Sequence, residues 1–212
     1  MWRVEIRLAG AGGQGLGLAA VVLAQSALAG GYEAALTQAY GPEARGGASH
    51  ADVVIADGPI ANPRVEHPTI LLVLNQKAWH RFADCISRPV LPEGEQKVRR
   101  AGSDSSMSGT DRCGASREGP LVVIDGQRVH PDRAISGVIA LPFEQIARDE
   151  LREKIAANMI AVGALGRLIA RIPLVVLERT AEARSPEGFG RVNREAVSRG
   201  WALMAGILPA SG

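Results

Sequence analysis

The chain has 212 residues, 46% of them hydrophobic and 22% charged, which suffices for a full core and reads as a single domain over residues 1–212. Its 24 basic and 22 acidic residues are spread out to a formal net charge of +2, with no dense Lys/Arg block, so neither a nucleic acid nor an anionic membrane is indicated as a partner. No stretch reaches the roughly 20 apolar residues of a membrane span, the start Met1-Trp2-Arg3-Val4-Glu5 is not a signal segment, and Cys85 and Cys113 belong to no ligand set, so a reduced, cytoplasmic setting is expected.

From Trp2 to Leu8 apolar residues alternate with Arg3, Glu5 and Arg7, a strand pattern that stops at Gly10, Gly12, Gly13 and Gly15. The Ala-rich run Leu16–Ala29 follows, apolar almost all round, with Gly30-Gly31 as its stop. This predicts a strand, a tight turn and a buried helix. A short strand over Glu33–Thr37 and apolar runs at Val53–Ala56, Ile70–Leu74, Leu121–Ile124 and Val138–Leu141 come next, spaced widely enough for crossovers between parallel strands. The fold class is therefore α/β, an open, mostly parallel Rossmann-like sheet with helices on its faces. The alternation in the first strand implies that one of its faces meets solvent or a partner chain.

Residues 93–119 hold five basic and five acidic side chains and almost no apolar ones, so a flexible insertion is expected there. Beyond it the pattern is helical: Phe143–Leu151, Ala156–Ala170, Leu174–Ala183, and a last segment from Asn193, a candidate N-cap, to about Ala205. These helices are expected to pack over the sheet.

Gly10-Ala11-Gly12-Gly13-Gln14-Gly15 fits G-x-G-x-x-G between a strand and a helix, where free N–H groups and the helix dipole favour an anion. A dinucleotide site also wants a carboxylate at the end of the second strand, and Thr37 and Gln38 stand there instead. The segment Thr37–Ser49 reads as a loop on the sheet's carboxyl edge, bordering the same crevice as the glycine turn. In it Arg45, followed by Gly46 and Gly47, can extend a fixed cation towards a carboxylate or phosphate. His50, His67, His80 and His130 lack ligand spacing, and Ser26 and Ser49 belong to no His–Asp arrangement.

A strand, GAGGQG, a helix, then QAYGPEARGGASHADVVIADGPIANP and a strand ending LVLNQKA resembles the gamma subunit, or fused gamma domain, of the 2-oxoacid:ferredoxin oxidoreductases of the pyruvate, 2-oxoglutarate and ketoisovalerate types. The likeness extends to NMIAVGALGRL at Asn158–Leu168 and to Asn193–Gly200, and its wording stands closer to the 2-oxoglutarate and 2-oxoacid gamma subunits than to the indolepyruvate type. The charged insertion departs from the family, where a short turn leads to the next strand. The resemblance implies an accessory subunit of a complex that decarboxylates a 2-oxoacid, 2-oxoglutarate or pyruvate, to an acyl-CoA, with coenzyme A as co-substrate and ferredoxin as acceptor. Thiamine diphosphate, magnesium and iron–sulfur clusters are then expected on partner subunits (alpha, beta and, in some complexes, delta), none of them on this chain alone, and no activity is expected of the isolated chain. It carries Gly12, Gly13, Gln14, Arg45, Gly46 and Gly47 over as interface or ligand-contact residues, with Gly10 and Gly15 framing the turn, and names no acid–base catalyst. Two other readings stay open from the residues: a stand-alone Rossmann-type dinucleotide-binding protein or reductase, and an interaction module whose glycine turn only packs.

Overall fold

The computed structural model describes residues 1–39, 48–86, 120–132 and 137–208; the expected insertion over 93–119, together with Arg45, Gly46 and Gly47, lies outside the described residues. Six strands form one sheet in the order β2-β3-β1-β4-β5-β6: β1 is Arg3–Ala11, β2 Glu33–Ala39, β3 Ala48–Ala56, β4 Ile70–Val73, β5 Leu121–Asp125 and β6 Val138–Leu141. β1 runs parallel to β4, β4 to β5 and β5 to β6, while β3 is antiparallel to both β1 and β2. The sheet is thus mostly parallel, with β3 as its one reversed strand.

That reversal corrects one expectation. Thr37–Ser49 reads as loop in the sequence, yet β2 continues through Ala39 and β3 already begins at Ala48. The polar Thr37, Gln38 and Ser49 break the apolar pattern that marks a strand, and backbone pairing to a neighbour overrides it: Thr37 pairs with Asp52 and Gln38 with Ala51, while Ser49 pairs with Gly10. β2 and β3 therefore form an antiparallel pair, with the start of β3 opposite the end of β1 at the carboxyl edge of the parallel strands.

Helix α1, Leu16–Ala29, lies against β1, β2 and β3. Its end is fixed locally: Gly31 adopts φ 85°, the Tyr32 N–H donates to the Ala27 carbonyl at 3.0 Å and the Gly31 N–H to that of Leu28 at 3.0 Å. This is the reverse turn that a left-handed glycine permits after a helix. Helix α2, Gln76–Ile86, was not evident in the sequence; it covers the opposite face through Ala78, Trp79 and Phe82, all buried. Asn75 caps it, its Oδ1 accepting the Ala78 N–H at 2.8 Å. The remaining helices, α3 Phe143–Asp149, α4 Ala157–Ile169, α5 Leu174–Arg184 and α6 Gly190–Ala205, share the larger core with α1. They do not all lie over the sheet as expected, because α6 packs chiefly on α4 and α5 as an outer layer. Asn193 is a further correction: it sits inside α6, buried, donating from Nδ2 to Ser185 Oγ at 2.8 Å, and does not cap the helix.

The alternation in β1 divides its two faces. Val4, Ile6 and Leu8 enter the α1 core, while Arg7 points to the α2 side, fully buried. The face expected to meet solvent does so only at its start, where Arg3 and Glu5 are half-buried, and Arg7 is satisfied inside the chain. Its Nε and Nη2 donate to the two carboxylate oxygens of Asp52 at 2.8 and 2.7 Å, Nη2 also donates to the Val65 carbonyl at 3.0 Å, and the guanidinium stacks 5.4 Å from the Phe82 ring centroid. Arg7 and Asp52 are direct cross-strand partners, so the pairing of β1 with β3 brings them face to face.

Candidate functional site at the carboxyl edge

The glycine turn is built where β1 leaves the sheet. Gly10 is its buried penultimate residue, and a side chain there would come within 2.6 Å of Gln14 Oε1. Gln14 uses that space to brace the turn: its Oε1 accepts the Ala11 N–H at 2.6 Å and Asn75 Nδ2 at 3.3 Å, its Nε2 donates to the Leu74 carbonyl at 3.4 Å, and its own N–H donates to the Ala11 carbonyl at 3.2 Å. Gly13 and Gly15 take left-handed φ values of 86° and 71°, which only glycine adopts without strain. The place of a Gly15 side chain is filled by the buried amide of Asn158, whose Nδ2 donates to the Gly15 carbonyl at 3.1 Å.

Gly15 also opens α1, with no side-chain cap. Among the described residues, the N–H groups of Gly12, Gly13, Gly15 and the first turn of α1 have no acceptor. Unpaired amides at a helix start, reinforced by the helix dipole, attract an anion. Around them lies a crevice of about 260 Å³ lined by Gly13, Gln14, Leu74, Asp125, Arg128, Glu144, Lys154, Ile155, Ala157 and Asn158. It therefore joins the ends of β1, β4 and β5 to the starts of α3 and α4, the carboxyl edge where ligands of open α/β sheets bind.

Two cations stand at this crevice. Arg128 Nε and Lys154 Nζ lie 2.5 and 3.3 Å from the two carboxylate oxygens of Glu144, and both cations are at least half exposed. Asp125, at the end of β5, is 2% exposed; its Oδ1 accepts the Gln127 N–H at 2.9 Å and its Oδ2 the Glu144 N–H at 3.0 Å. Burial pushes the Asp125 carboxyl above its ordinary 3.8, against the pull of those two backbone N–H groups. Ile155 adds an apolar surface, 53% exposed. The arrangement is suited to a phosphate-bearing ligand: backbone N–H groups and movable cations for the phosphates, an apolar side chain for a ring or a chain.

Of the residues named from the sequence, Gly10, Gly12, Gly13, Gln14 and Gly15 come together in one turn, but they do different things. Gly12 and Gly13 are exposed, and a side chain on either would meet nothing within 4 Å; Gly10, Gln14 and Gly15 are occupied inside the chain. Asp125, Arg128, Glu144 and Lys154 were missed. One signal was available, an aspartate ending a predicted strand at the carboxyl edge; the rest gather only through the fold. β2 ends in Thr37, Gln38 and Ala39 without a carboxylate, which removes the ribose ligand of a dinucleotide site. Among the described residues no three His, Cys, Asp or Glu side chains gather to hold a metal, and no helix is long and apolar enough to cross a membrane.

Comparison with known proteins supports the same reading of the architecture. The chain is 36% identical over 205 residues to the 2-oxoglutarate synthase subunit KorC of Methanocaldococcus jannaschii, an alignment covering 95% of this chain and 94% of that one. Its structure resembles the gamma subunit of a keto/oxoacid ferredoxin oxidoreductase from Geobacter sulfurreducens with a TM-score of 0.72 at 29% identity, covering 97% and 98% of the two chains. The fold recurs in 2-oxoglutarate:ferredoxin oxidoreductase from Magnetococcus marinus, solved with 2-oxoglutarate, coenzyme A and succinyl-CoA bound, at a TM-score of 0.74 and 22% identity, where it spans 32% of the longer chain. The family model described as pyruvate ferredoxin/flavodoxin oxidoreductase matches residues 5–95 and 101–203. With this match over nearly its whole length, and with the fold of a gamma subunit, the chain belongs to the pyruvate ferredoxin/flavodoxin oxidoreductase family.

Proposed function

We propose that the chain serves as the gamma-type subunit of a complex that oxidises 2-oxoglutarate to succinyl-CoA, with its carboxyl-edge crevice receiving the phosphate-bearing part of coenzyme A. The observation that carries this reading is the end-to-end match to a 2-oxoglutarate synthase subunit. The crevice supports it, since the unpaired N–H groups of Gly12, Gly13, Gly15 and the first turn of α1 suit a pyrophosphate and Arg128 and Lys154 suit its charge. Thiamine diphosphate, magnesium and iron–sulfur clusters belong, in this reading, to alpha, beta and, where one occurs, delta partner subunits, and ferredoxin takes the electrons. Two isolated cysteines are too few to ligate a cubane cluster, which needs four thiolates. Arg45, with Gly46 and Gly47, is retained as a proposed contact to the partner active site on the resemblance alone.

Reconstitution tests the proposal. The chain expressed with its thiamine-binding subunits should oxidise 2-oxoglutarate in a coenzyme A-dependent reaction, with pyruvate turned over far more slowly, and the isolated chain should be inert. Turnover by the purified single chain, or a preference for pyruvate in the complex, would overturn the subunit reading or the substrate respectively.

A further inference from the structure

We infer that Asn158 is a positioning residue for the glycine turn, aiming the turn's N–H groups into the crevice from a site 143 residues away in the sequence. The inference rests on the coenzyme A reading above and goes beyond it by naming the group that holds the binding amides in place.

A peptide unit is planar, so fixing its carbonyl fixes the direction of the N–H on its other side. The Gly15 carbonyl accepts two hydrogen bonds, from the Ala19 N–H of α1 at 3.0 Å and from Asn158 Nδ2 at 3.1 Å. The first is an ordinary helical bond. The second comes from outside and sets the plane of the Gly15–Leu16 peptide, and with it the direction of the unpaired Leu16 N–H. At the other end of the turn, the Ala11 carbonyl accepts the Gln14 N–H at 3.2 Å, which fixes the plane carrying the Gly12 N–H. The two ends are thus held by Gln14 and Asn158, and the Gly12, Gly13, Gly15 and Leu16 N–H groups are left unpaired.

Asn158 is itself held firmly. It is 3% exposed, sits in the first turn of α4 and lines the crevice. A side chain at Gly163 would overlap the Val197 carbonyl, and one at Gly200 the Ile160 carbonyl, so α4 and α6 meet backbone to backbone. Helices in that contact cannot shift without separating, and the Asn158 amide inherits their rigidity. A buried donor aimed at a carbonyl that already has its helical partner stabilises a particular peptide orientation more than it extends the helix.

The test uses the reconstituted complex and the KM values for its two substrates. Asn158→Leu keeps the volume and removes the donor; it should raise the KM for coenzyme A by about three- to tenfold, the size of one lost hydrogen bond. The KM for 2-oxoglutarate should stay within about twofold, as expected of a surface left untouched. Asn158→Asp adds a readout that mere packing would not move: protonated, its carboxyl can donate to the Gly15 carbonyl, so the KM for coenzyme A should recover towards wild type as pH falls, while Asn158→Leu shows no such recovery. If Asn158→Leu fails to assemble, the pH recovery of Asn158→Asp decides alone. Lys154→Gln serves as the control for the ligand itself. A raised KM for coenzyme A in Lys154→Gln with none in the Asn158 variants overturns the positioning role and leaves the coenzyme A site standing; no change in any of them removes both.

Discussion

Arg7 shows how much one residue can ask of a fold. Its guanidinium is fully buried against Asp52, itself 5% exposed, and each charge is tolerable only because the other is there. Removing one partner leaves an uncompensated buried charge, at a cost of about 3–5 kcal/mol, whereas replacing both by apolar residues is often neutral or better. Arg7→Met should therefore lower the unfolding free energy by that amount in denaturant titrations, and Arg7→Met with Asp52→Leu should regain most of it; a double variant no more stable than the single would mean that the Val65 carbonyl and the Phe82 ring matter more than the ion pair. Asp125 makes a different demand. Its folded carboxyl titrates above the unfolded value near 3.8, so the native state holds the proton more tightly between the two values. The stabilisation this confers is complete below the unfolded pKa and is lost as pH rises through the folded one. Subtracting the unfolding free energy of Asp125→Asn from that of the wild type at each pH should give a difference that falls with rising pH across that window. A difference that rises would mean that the two backbone donors outweigh burial.

At the scale of elements, the contact between α4 and α6 is the one with least tolerance. It is made by glycines, and the added carbon of Gly163→Ala would have to displace the Val197 carbonyl. Overpacking of a close-fitted contact costs about 1–3 kcal/mol, and displacing backbone puts this case at the upper end, about 3 kcal/mol by thermal or chemical unfolding. A Gly163→Ala chain as stable as wild type would show that the helices can part cheaply, and the rigidity assigned to Asn158 would go with it. The α1 start behaves in the opposite way. It lacks a side-chain cap, and it starts directly after Gly13 and Gln14, which line the crevice, so a defect in helix chemistry adjoins the place where a ligand is expected.

For the whole molecule, what matters is which surface the chain keeps for others. Gly12 is exposed, avoids the left-handed region, and its missing side chain would touch nothing within 4 Å. The chain itself therefore has no use for a glycine there. Gly12→Ala should leave the unfolding free energy within about 1 kcal/mol of wild type, or raise it slightly by stiffening the unfolded chain. In the reconstituted complex the same substitution should impair coenzyme A binding or assembly. If both stability and complex activity are untouched, nothing outside the chain approaches Gly12 closely, and the turn serves packing alone.

The amino-acid sequence by itself determined the strand, turn and helix over residues 3–29, because every signal involved is local: alternation along β1, glycines where φ turns positive, an Ala-rich run and a left-handed glycine at its end. The family resemblance was carried by short motifs for the same reason. Other features were settled only by the tertiary structure. Whether Arg7 faces water or a carboxylate depends on β3 pairing beside β1, and β3 runs antiparallel although its neighbouring runs suggested crossovers. Helix α2 interleaves five polar residues with six apolar ones over a short run, and it is packing that shows Ala78, Trp79 and Phe82 to be the side that counts. Asp125, Arg128, Glu144, Lys154 and Asn158 lie far along the chain from the glycine turn they surround. No local propensity encodes such a distance; it is fixed when the parallel strands align their carboxyl ends and two glycine-faced helices lock the Asn158 amide beneath Gly15.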